Sequence, residues 1–551
     1  MKPAVVIVGG TGVFGGRLAR RLLAQGEVRV LIAGRDPARL AAFCAAYGGE
    51  AMVLDRAGDV TEALAACAPF AVVDAAGPFQ SYGDDPYRLV RAAIAVGSHY
   101  VDLSDDADFT AGIGALDQAA RAAGVAVLSG VSSVPAISAA AVRALAVGIT
   151  SIALIDTVIL PGNRAPRGLS VVRAIVSQVG RPLRVFRGGN WTEIPAWGGA
   201  QKLEIGDSGV ATLGKRWVSF IGAPDLALFP QRFAARSVLF RAGLELPIMH
   251  LGLVALSWLV RARLLRTLTP LAGVLHAVAS RLEPFGSDRG GMRVAVTGID
   301  HAGCRVQRHW TLIAEAGAGP EIPAIPAFVA INTLLENAIA PGARACLDDL
   351  DLSAIEAALP RPEMKTVHGE APAPVLYERV LGAEFARLPV AVQSLHAVVD
   401  RAEFVGEARV EVGSHPVAGL VRWLMRFPAA SPRVPVTVVM TREGERERWQ
   451  RQFGAARFVS VLSRHPDDQH GECQERFGPF AFGIRLVVDA DGISMPVRNA
   501  RFLGLPLPRF LLPESRTQET ADGYGNALFD VEIRLPVIGR VIRYSGSLRR
   551  R

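Results

Sequence analysis

The chain has 551 residues, too many for a single hydrophobic core, so about two to four domains are expected. Half of the residues are hydrophobic and a fifth are charged, which excludes an intrinsically disordered chain. The net charge of +8 would suit an anionic cofactor or a membrane surface. The sequence contains no helix-turn-helix, zinc-finger or RNP-like signature, so nucleic acid is not an expected partner.

The five cysteines are scattered and form no CxxC pair. This pattern predicts a reducing compartment, without a disulfide framework or a zinc ribbon. Apolar sequence follows the first three residues without a signal peptide, so we expect a cytoplasmic protein, with peripheral contact to the inner face of a membrane as an option. Segment 463–473 gathers several metal-ligating residue types: His465, Asp467, Asp468, His470, Glu472 and Cys473. Their spacing matches no standard site, so we interpret the segment as an exposed hairpin loop and expect no metal.

Short apolar strands alternate with helical segments over the first 130 residues. The predicted strands are 4–8, 28–33, 51–55, 70–79, 99–104 and 125–130. Asp36 and Pro37 are placed to cap and to begin the second helix. The alternation predicts an α/β fold, with a Rossmann-type doubly wound parallel sheet over residues 1–130 and a ligand at the carboxyl ends of its strands.

From residue 131 the rhythm changes, and we expect an α+β substrate or dimerisation domain over 131–365. Within it, residues 292–314 predict an antiparallel hairpin that turns near residues 300–303. Helices near 324–365 are candidates to return to the first domain. After a linker at 368–382, short strands predict a β-rich C-terminal domain over 372–551.

Residues 226–284 combine apolar segments with many arginines. Their longest apolar run, 246–260, has 15 residues, whereas a membrane-spanning helix needs about 20. Three interpretations stay open. The region is a transmembrane helix, a basic amphipathic pair that lies on anionic lipid, or a helical excursion packed within the second domain or at a homodimer contact.

The loop after the first strand reads Gly9-x-x-Gly12-x-x-Gly15. Glycine lets the backbone approach a pyrophosphate, and the following helix presents its positive end to that anion. The alternative is a strand-to-helix turn without a ligand. The position of the loop, after the first strand of an alternating unit, favours dinucleotide binding by the whole loop: Gly9, Gly10, Thr11, Gly12, Val13, Phe14 and Gly15.

Arg35 follows the second strand, where a carboxylate would bind the ribose of NAD. Its guanidinium fits a 2′-phosphate, which favours NADP over NAD, unless Arg35 is a solvated loop cation. Asp55, after the third strand, is a candidate for adenine contact or a mere strand-end acid. After the fourth strand, small residues at Ala75, Ala76 and Gly77 would let the backbone pass near the nicotinamide ribose, or form an ordinary turn.

The fifth strand carries the catalytic candidates, His99, Tyr100 and Asp102. Asp102 alternates with Tyr100, so the two face the same side. We consider Asp102 as an orienting or acid–base group. The alternatives are structural: an acid that holds a neighbouring backbone, and a histidine that only packs.

Several segments, in order, resemble the saccharopine-dehydrogenase-like oxidoreductases over residues 1 to about 365: GGTGVFG, AAGPFQ, HYVDLS, GVSSVPAISAAAV, PGNRAPRG and GSDRGGMRVAVTG. The rest, with WQRQF, ERFGPFAF and GLPLPRFLLP, resembles a bacterial domain of uncharacterised function that is fused behind such reductases. The resemblance implies an NADP-binding Rossmann domain with an inserted α+β domain. Where many relatives follow VDL with Thr-Gly-Glu, this chain has Ser104-Asp105-Asp106, which argues against saccharopine as the substrate.

Two functions are consistent with these features. The first is an NADP-dependent oxidoreductase that transfers a hydride to or from a carbonyl or imine of a small or lipid-like substrate. The alternative is a non-catalytic NADP-binding sensor or membrane-surface scaffold.

Overall fold

The computed structural model describes residues 2–56, 58–166, 169–207, 209–466 and 471–551. The chain divides into two compact units, residues 1–371 and 372–551. The helices of the first unit are α1 (Gly15–Gln25), α2 (Pro37–Tyr47), α3 (Val60–Cys67), α4 (Arg88–Ala95), α5 (Ala107–Gly112), α6 (Asp117–Ala122), α7 (Ser138–Ala146), α8 (Leu169–Gln178), α9 (Pro224–Arg232), α10 (Pro247–Arg261), α11 (Ala272–Leu282), α12 (Ala324–Leu335) and α13 (Leu352–Ala357).

The strands of the first unit form two sheets. They are β1 (Ala4–Val8), β2 (Arg29–Gly34), β3 (Glu50–Val53), β4 (Ala71–Asp74), β5 (His99–Asp102), β6 (Ala126–Ser129), β7 (Ile149–Leu160), β8 (Pro182–Arg187), β9 (Asn190–Pro195), β10 (Gln201–Asp207), β11 (Ala211–Phe220), β12 (Val238–Ala242), β13 (Gly290–Asp300), β14 (Arg305–Ala314), β15 (Gly342–Ala345) and β16 (Met364–Pro372).

The first sheet is parallel, in the order β3-β2-β1-β4-β5-β6-β15. Its inner strands β1 and β4 are buried along their whole length, which explains why they read as continuous apolar runs. The strand order reverses between β1 and β4, so the ligand crevice is expected at their carboxyl ends. The predicted Rossmann-type doubly wound sheet is confirmed.

The outer strand of this sheet, β15, comes from a distant part of the chain and pairs with β6. The helix before it, α12, lies beside α1. Glu321 precedes α12 and forms ion pairs with Arg17 (3.0 Å), Arg20 (3.8 Å) and Arg21 (3.3 Å) of α1. Residues 319–345 therefore support the helix that follows the glycine loop.

The second sheet is mixed, in the order β10-β11-β12-β7-β13-β14-β16, and the β8–β9 hairpin joins it beside β12. The hairpin predicted over 292–314 is confirmed, because β13 and β14 pair in antiparallel register. Its turn is stabilised by the Asp300 carboxylate, which accepts hydrogen bonds from the backbone N–H groups of Ala302 (2.9 Å) and Cys304 (2.8 Å).

Residues 226–284 are divided among several elements rather than one apolar helix. α9 and β12 are largely buried in the first unit, and β12 pairs with β7 and β11. α10 is attached to β11 by a hydrogen bond between His250 Nε2 and the Ser219 hydroxyl (3.0 Å). Across the described ranges, each helix is too short or too polar to cross a bilayer.

The second unit is β-rich, as predicted. Its helices are α14 (Leu376–Leu381), α15 (Val390–His396) and α16 (Pro416–Met425). Its strands are β17 (Arg401–Val412), β18 (Ser431–Glu443), β19 (Arg446–Phe453), β20 (Ala456–Arg464), β21 (Glu472–Phe477), β22 (Phe480–Arg485), β23 (Val487–Val488), β24 (Gly492–Ser494), β25 (Val497–Phe502), β26 (Leu505–Pro506), β27 (Glu514–Ala521), β28 (Ala527–Leu535) and β29 (Gly539–Arg550).

These thirteen strands form one antiparallel sheet, in the order β23-β24-β27-β28-β29-β17-β18-β19-β20-β21-β22-β25-β26. The predicted hairpin loop at 463–473 falls between β20 and β21, but its residues 467–470 lie outside the described part of the chain.

Candidate functional site

The loop between β1 and α1 is held against the loop after β4. Gly9 has a left-handed φ of +79°, and a Cβ there would lie 2.7 Å from the Cα of Ala76. Glycine is therefore required at position 9 because two backbone segments meet there. A Cβ at Gly10 would likewise lie 2.9 Å from the Ile7 carbonyl oxygen, so this glycine also serves packing.

The remaining glycines shape the start of α1. A Cβ at Gly15 would lie 2.5 Å from the Gly9 carbonyl oxygen, whereas Gly12 is exposed at the tip of the loop. The N-cap residue is Phe14, whose phenyl ring cannot accept a hydrogen bond, and the first turn contains no carboxylate in its sequence. The positive end of α1 therefore has no capping side chain and no carboxylate in its first turn, beside half-buried Thr11 and exposed Val13.

Two neighbouring charged residues after β2, Arg35 and Asp36, have different surroundings. The Asp36 carboxylate caps α2 by accepting hydrogen bonds from the N–H groups of Ala38 (3.0 Å) and Arg39 (3.2 Å), as the sequence predicted. Arg35 is exposed, and its guanidinium makes no ion pair with the residues that the structure describes. An exposed guanidinium without an ion pair among the described residues is available for other partners at this strand end.

The other predicted cofactor residues also lie at this edge of the sheet. The Ala75 N–H donates to the Val8 carbonyl (2.9 Å), and the Ala76 N–H donates to Asp74 Oδ1 (3.1 Å), which fixes the backbone before Gly77 beside β1. Asp55 is exposed after β3, and both interpretations of it stay open.

A buried cluster below the β4 loop was not predicted. The Asp74 carboxylate is fully buried, accepts a hydrogen bond from the Tyr82 hydroxyl (3.0 Å) and lies 3.4 Å from Arg56 Nε. The Arg56 guanidinium also lies 3.2 Å from the Tyr82 ring centroid. Burial raises the pKa of Asp74, and Arg56 opposes that shift. An acid inside the apolar run FAVVDAAGPF was the available sequence signal.

Asp102 ends β5 and holds the adjacent strand end. Its Oδ1 accepts hydrogen bonds from the Gly130 N–H (2.8 Å), the Ser104 N–H (3.0 Å) and the Ser129 hydroxyl (3.0 Å). Its Oδ2 is buried and has no hydrogen-bond partner among the described residues. Burial raises the pKa of Asp102 to about 7, against the effect of these hydrogen bonds. This geometry favours the structural alternative, an acid that positions the backbone.

The other two catalytic candidates are placed less favourably. Tyr100 is fully buried in the core of the first sheet. His99 lies at the amino end of β5, opposite the carboxyl edge of the sheet, where its Nδ1 accepts a hydrogen bond from the Ala126 N–H (3.0 Å). The polarity of a parallel strand thus separates His99 from Asp102, and the geometry does not support grouping them in one crevice.

A cleft of about 930 Å³ adjoins the carboxyl edge of the first sheet. One wall follows directly from the β4 and β5 loops and includes Pro78, Gln80, Asp105, Asp106 and Asp108. The other wall comes from α8, the β8–β9 hairpin and α9, and includes Arg173, Gln178, Arg184, Trp191 and Ala227. This volume is that of a small-molecule site.

The far wall of the cleft is ordered by specific contacts. The Arg184 guanidinium lies 4.4 Å from the Trp191 ring centroid, and Gln178 accepts a hydrogen bond from the Gly222 N–H (2.9 Å). In α9, Asp225 is fully buried, and burial raises its pKa to about 7. Sequence reasoning missed this wall, because it is contributed by segments remote from the glycine loop.

Two families match parts of the chain. Residues 5–128 match the saccharopine dehydrogenase NADP binding domain, and residues 388–548 match a domain of unknown function, DUF4166. These matches confirm the resemblance predicted for each part. The first match supports an oxidoreductase with an NADP(H)-binding domain. None of the curated proteins matches the chain.

Solved structures of dehydrogenases are similar to the chain at low identity. The saccharopine dehydrogenase (L-Glu forming) of Saccharomyces cerevisiae is 16% identical, over 67% of this chain and 100% of that chain, with a TM-score of 0.47. A probable dehydrogenase of Thermotoga maritima is 11% identical, over 66% of this chain and 98% of that chain, with a TM-score of 0.34.

We predict that Asp102→Asn changes how stability depends on pH. The folded pKa of Asp102, about 7, lies above its ordinary value of 3.8. The wild type therefore loses stability from this group as pH rises toward 7, because only the unfolded chain releases the proton. Asparagine keeps the acceptor and does not titrate, so the stability of the variant relative to wild type should increase by about 1 kcal/mol per pH unit over this range.

Chemical denaturation between pH 5 and pH 8 measures this difference, which should level off above a pH of about 7. Asp36→Asn is the control, because asparagine caps a helix as well as aspartate does. A difference between Asp102→Asn and wild type that stays constant with pH would contradict the prediction.

Proposed function

We propose that this chain is an NADP-dependent oxidoreductase of the saccharopine-dehydrogenase-like type, which transfers a hydride to or from a carbonyl or imine of a small or lipid-like substrate. The observation that carries the proposal is that the glycine loop after β1 and the 930 Å³ cleft adjoin each other at the end of β4. The Ala75–Gly77 loop packs against Gly9 of the glycine loop, and Pro78, the next residue, lines the 930 Å³ cleft. A cofactor on the glycine loop and a substrate in the cleft would therefore meet at one strand end.

The residues at this edge fit a dinucleotide phosphate. The loop of Gly12, Val13 and Phe14 and the positive end of α1 would hold the diphosphate, and Arg35 would bind the 2′-phosphate. The commitment of Asp36 to the cap of α2 removes the nearest carboxylate that would favour NAD. When bound, NADP(H) supplies the hydride chemistry at its nicotinamide ring.

The residues that line the cleft favour a substrate other than saccharopine. Asp105 and Asp106, at which the sequence departs from the pattern of its relatives, both line the cleft. Asp106 also caps α5 by accepting a hydrogen bond from the Phe109 N–H (2.7 Å). The same cleft is lined by Arg173, Arg184 and the indole of Trp191. Such a lining suits a substrate with polar and apolar parts, held between opposite charges. In this proposal Asp102 is a positioning residue, which fixes the β5 and β6 ends beside the cleft.

We predict that Arg35→Ala weakens NADPH binding by about 10- to 100-fold, because it removes a charge-assisted contact to the 2′-phosphate. NADH binding should stay unchanged, since NADH has no such phosphate. Titrations followed by nicotinamide fluorescence measure both affinities. Arg29→Ala is the matched control, because Arg29 is an exposed arginine at the opposite end of the same strand. If the preference for NADPH survives in Arg35→Ala, Arg35 does not bind the 2′-phosphate.

We predict that Ala227→Trp blocks the cleft, since Ala227 is exposed on its wall. With a panel of aldehydes, ketones and imines, wild type should oxidise NADPH, and the variant should lose about 10-fold or more of kcat/KM at unchanged NADPH affinity. Ala66→Trp, an exposed change on α3, is the control. Tight NADPH binding without oxidation by any compound would instead favour the non-catalytic sensor or scaffold.

We also propose that the α10–α11 region contacts an anionic membrane surface. Four large apolar side chains of this region are each more than half exposed: Ile248, Leu264, Val274 and Phe285. Exposure of so many apolar side chains to water is unfavourable, which indicates a surface that binds a membrane or a partner. Arg261, Arg263, Arg266 and Arg281 are also exposed in this segment of the sequence. Apolar side chains flanked by arginines are typical of interfacial helices on acidic lipid.

We predict that the double variant Ile248→Asp, Leu264→Asp reduces flotation with phosphatidylglycerol vesicles by about 10-fold, because two apolar insertions are lost. Val147→Asp is the control, because Val147 and Ile248 are both 73% exposed. Vesicles of phosphatidylcholine should bind wild type weakly. Equal flotation of wild type and double variant would exclude the surface, and a dimer that dissociates in the double variant would identify it as a homodimer contact.

A further inference from the structure

The sheet and helices of the second unit line a cavity of about 300 Å³, here called the C-terminal cavity. Its walls are formed by alternate residues of successive strands, as the two-residue period of β-structure requires. The wall residues of β18, β22 and β28 illustrate this period: Val436, Val438, Phe480, Phe482, Phe529 and Val531. The inward face of the sheet is therefore largely aliphatic and aromatic.

A cavity of this size is unusual for a protein interior. Interiors are close-packed, and their voids rarely exceed the size of a water molecule. Water gains little in an apolar void, because it needs several polar partners there. Small-molecule sites, by contrast, have volumes from about 300 Å³ upward and largely apolar walls. The C-terminal cavity thus has the size and lining of a ligand site.

The charged groups that line the cavity are already paired. Arg451 Nη2 lies 3.1 Å from Glu475 Oε1, and the Arg451 side chain also donates to the Ser460 hydroxyl (2.7 Å). Glu519 Oε2 lies 2.5 Å from Nε2 of His396. An anionic ligand would meet two carboxylates and one guanidinium that is already neutralised, so burial of its charge would be uncompensated.

Neutral hydrogen-bonding groups complete the lining. The hydroxyls of Ser515 and Thr517 lie 2.8 Å apart and both residues face the cavity. Tyr544 also lines it, and burial raises the pKa of its phenol to about 12, so this hydroxyl stays neutral. Hydroxyls can donate a hydrogen bond to an alcohol or a carbonyl, and can accept one from an alcohol.

The cavity opens to solvent beside α16. Leu424 of α16 lines the cavity and is 60% exposed, and Leu511 lines it and is 49% exposed. Side chains that reach both the interior and the solvent mark an entrance, and an entrance of leucines admits an apolar molecule. On the same helix, Leu420 is 62% exposed but does not line the cavity.

We propose that the C-terminal cavity binds one molecule of an uncharged hydrophobic compound that bears a hydroxyl or carbonyl group. The chain would thereby carry a lipid-type binding site separate from its cofactor loop. This site is independent of the proposed redox activity, because all the residues that line it belong to the second unit.

The test uses the full chain and N-phenylnaphthylamine, a neutral dye that fluoresces in apolar surroundings. We expect saturable binding of one dye per chain, displaced by dodecanol at a concentration about 10-fold lower than by dodecanoate at pH 8, because the carboxylate must be desolvated without a free cation. Non-saturable fluorescence would overturn the site. Equal displacement by the alcohol and the acid would overturn its preference for an uncharged ligand.

Two matched variants locate the dye. Leu424→Asp should weaken dye binding about 5-fold or more, because it places a charge in the entrance, whereas Leu420→Asp should leave it unchanged. Both side chains are mostly exposed, so neither change should impair folding, and circular dichroism checks this. Equal effects of the two variants, or no effect of Leu424→Asp, would overturn the proposal. NADPH affinity, measured in the same samples, should not change.

Discussion

The first unit depends on the approach of two backbone segments to a distance that leaves no room for a Cβ. Gly9 and Ala76 meet where the strand order of the parallel sheet reverses, between β1 and β4. Because the loops touch, the start of α1 and the end of β4 share one edge of the sheet, and the cleft begins where the β4 loop continues. The glycine at position 9 is thus a packing requirement first. The exposed Gly12 and the uncapped helix end are what remain for an anion.

Much of this arrangement could be predicted from local sequence. Buried parallel strands read as short apolar runs, which makes β1, β2, β4, β5 and β6 recognisable, and Asp36 before Pro37 marks a helix start. The position of His99 could also have been inferred, because a residue that begins a parallel strand lies at the edge opposite its carboxyl end. His99 and Asp102 are close in sequence, but they lie at opposite ends of one strand and therefore at opposite edges of the sheet.

Other features depend on pairings that no local pattern encodes. The partnership of Asp74 with Arg56 joins the ends of two different strands, and the far wall of the cleft comes from α8, α9 and the β8–β9 hairpin. In the second unit, the two-residue alternation of FAFGIRL is visible in the sequence. Its consequence, an enclosed volume rather than a flat apolar face, depends on how far the whole sheet curves. Sequence therefore indicates which side chains face inward but not whether they meet.

The edge strand β15 delays completion of the parallel sheet while the chain is being synthesised. β15 pairs with β6, although strands β7 to β14 of the second sheet lie between them in sequence. During synthesis the outer edge of β6 therefore stays without its neighbour until residues 342–345 leave the ribosome. An unpaired strand edge is a template for association with other chains, and long-range pairings form slowly. The parallel sheet is thus begun before the second sheet, but it gains its last strand only after β14 of the second sheet has been made.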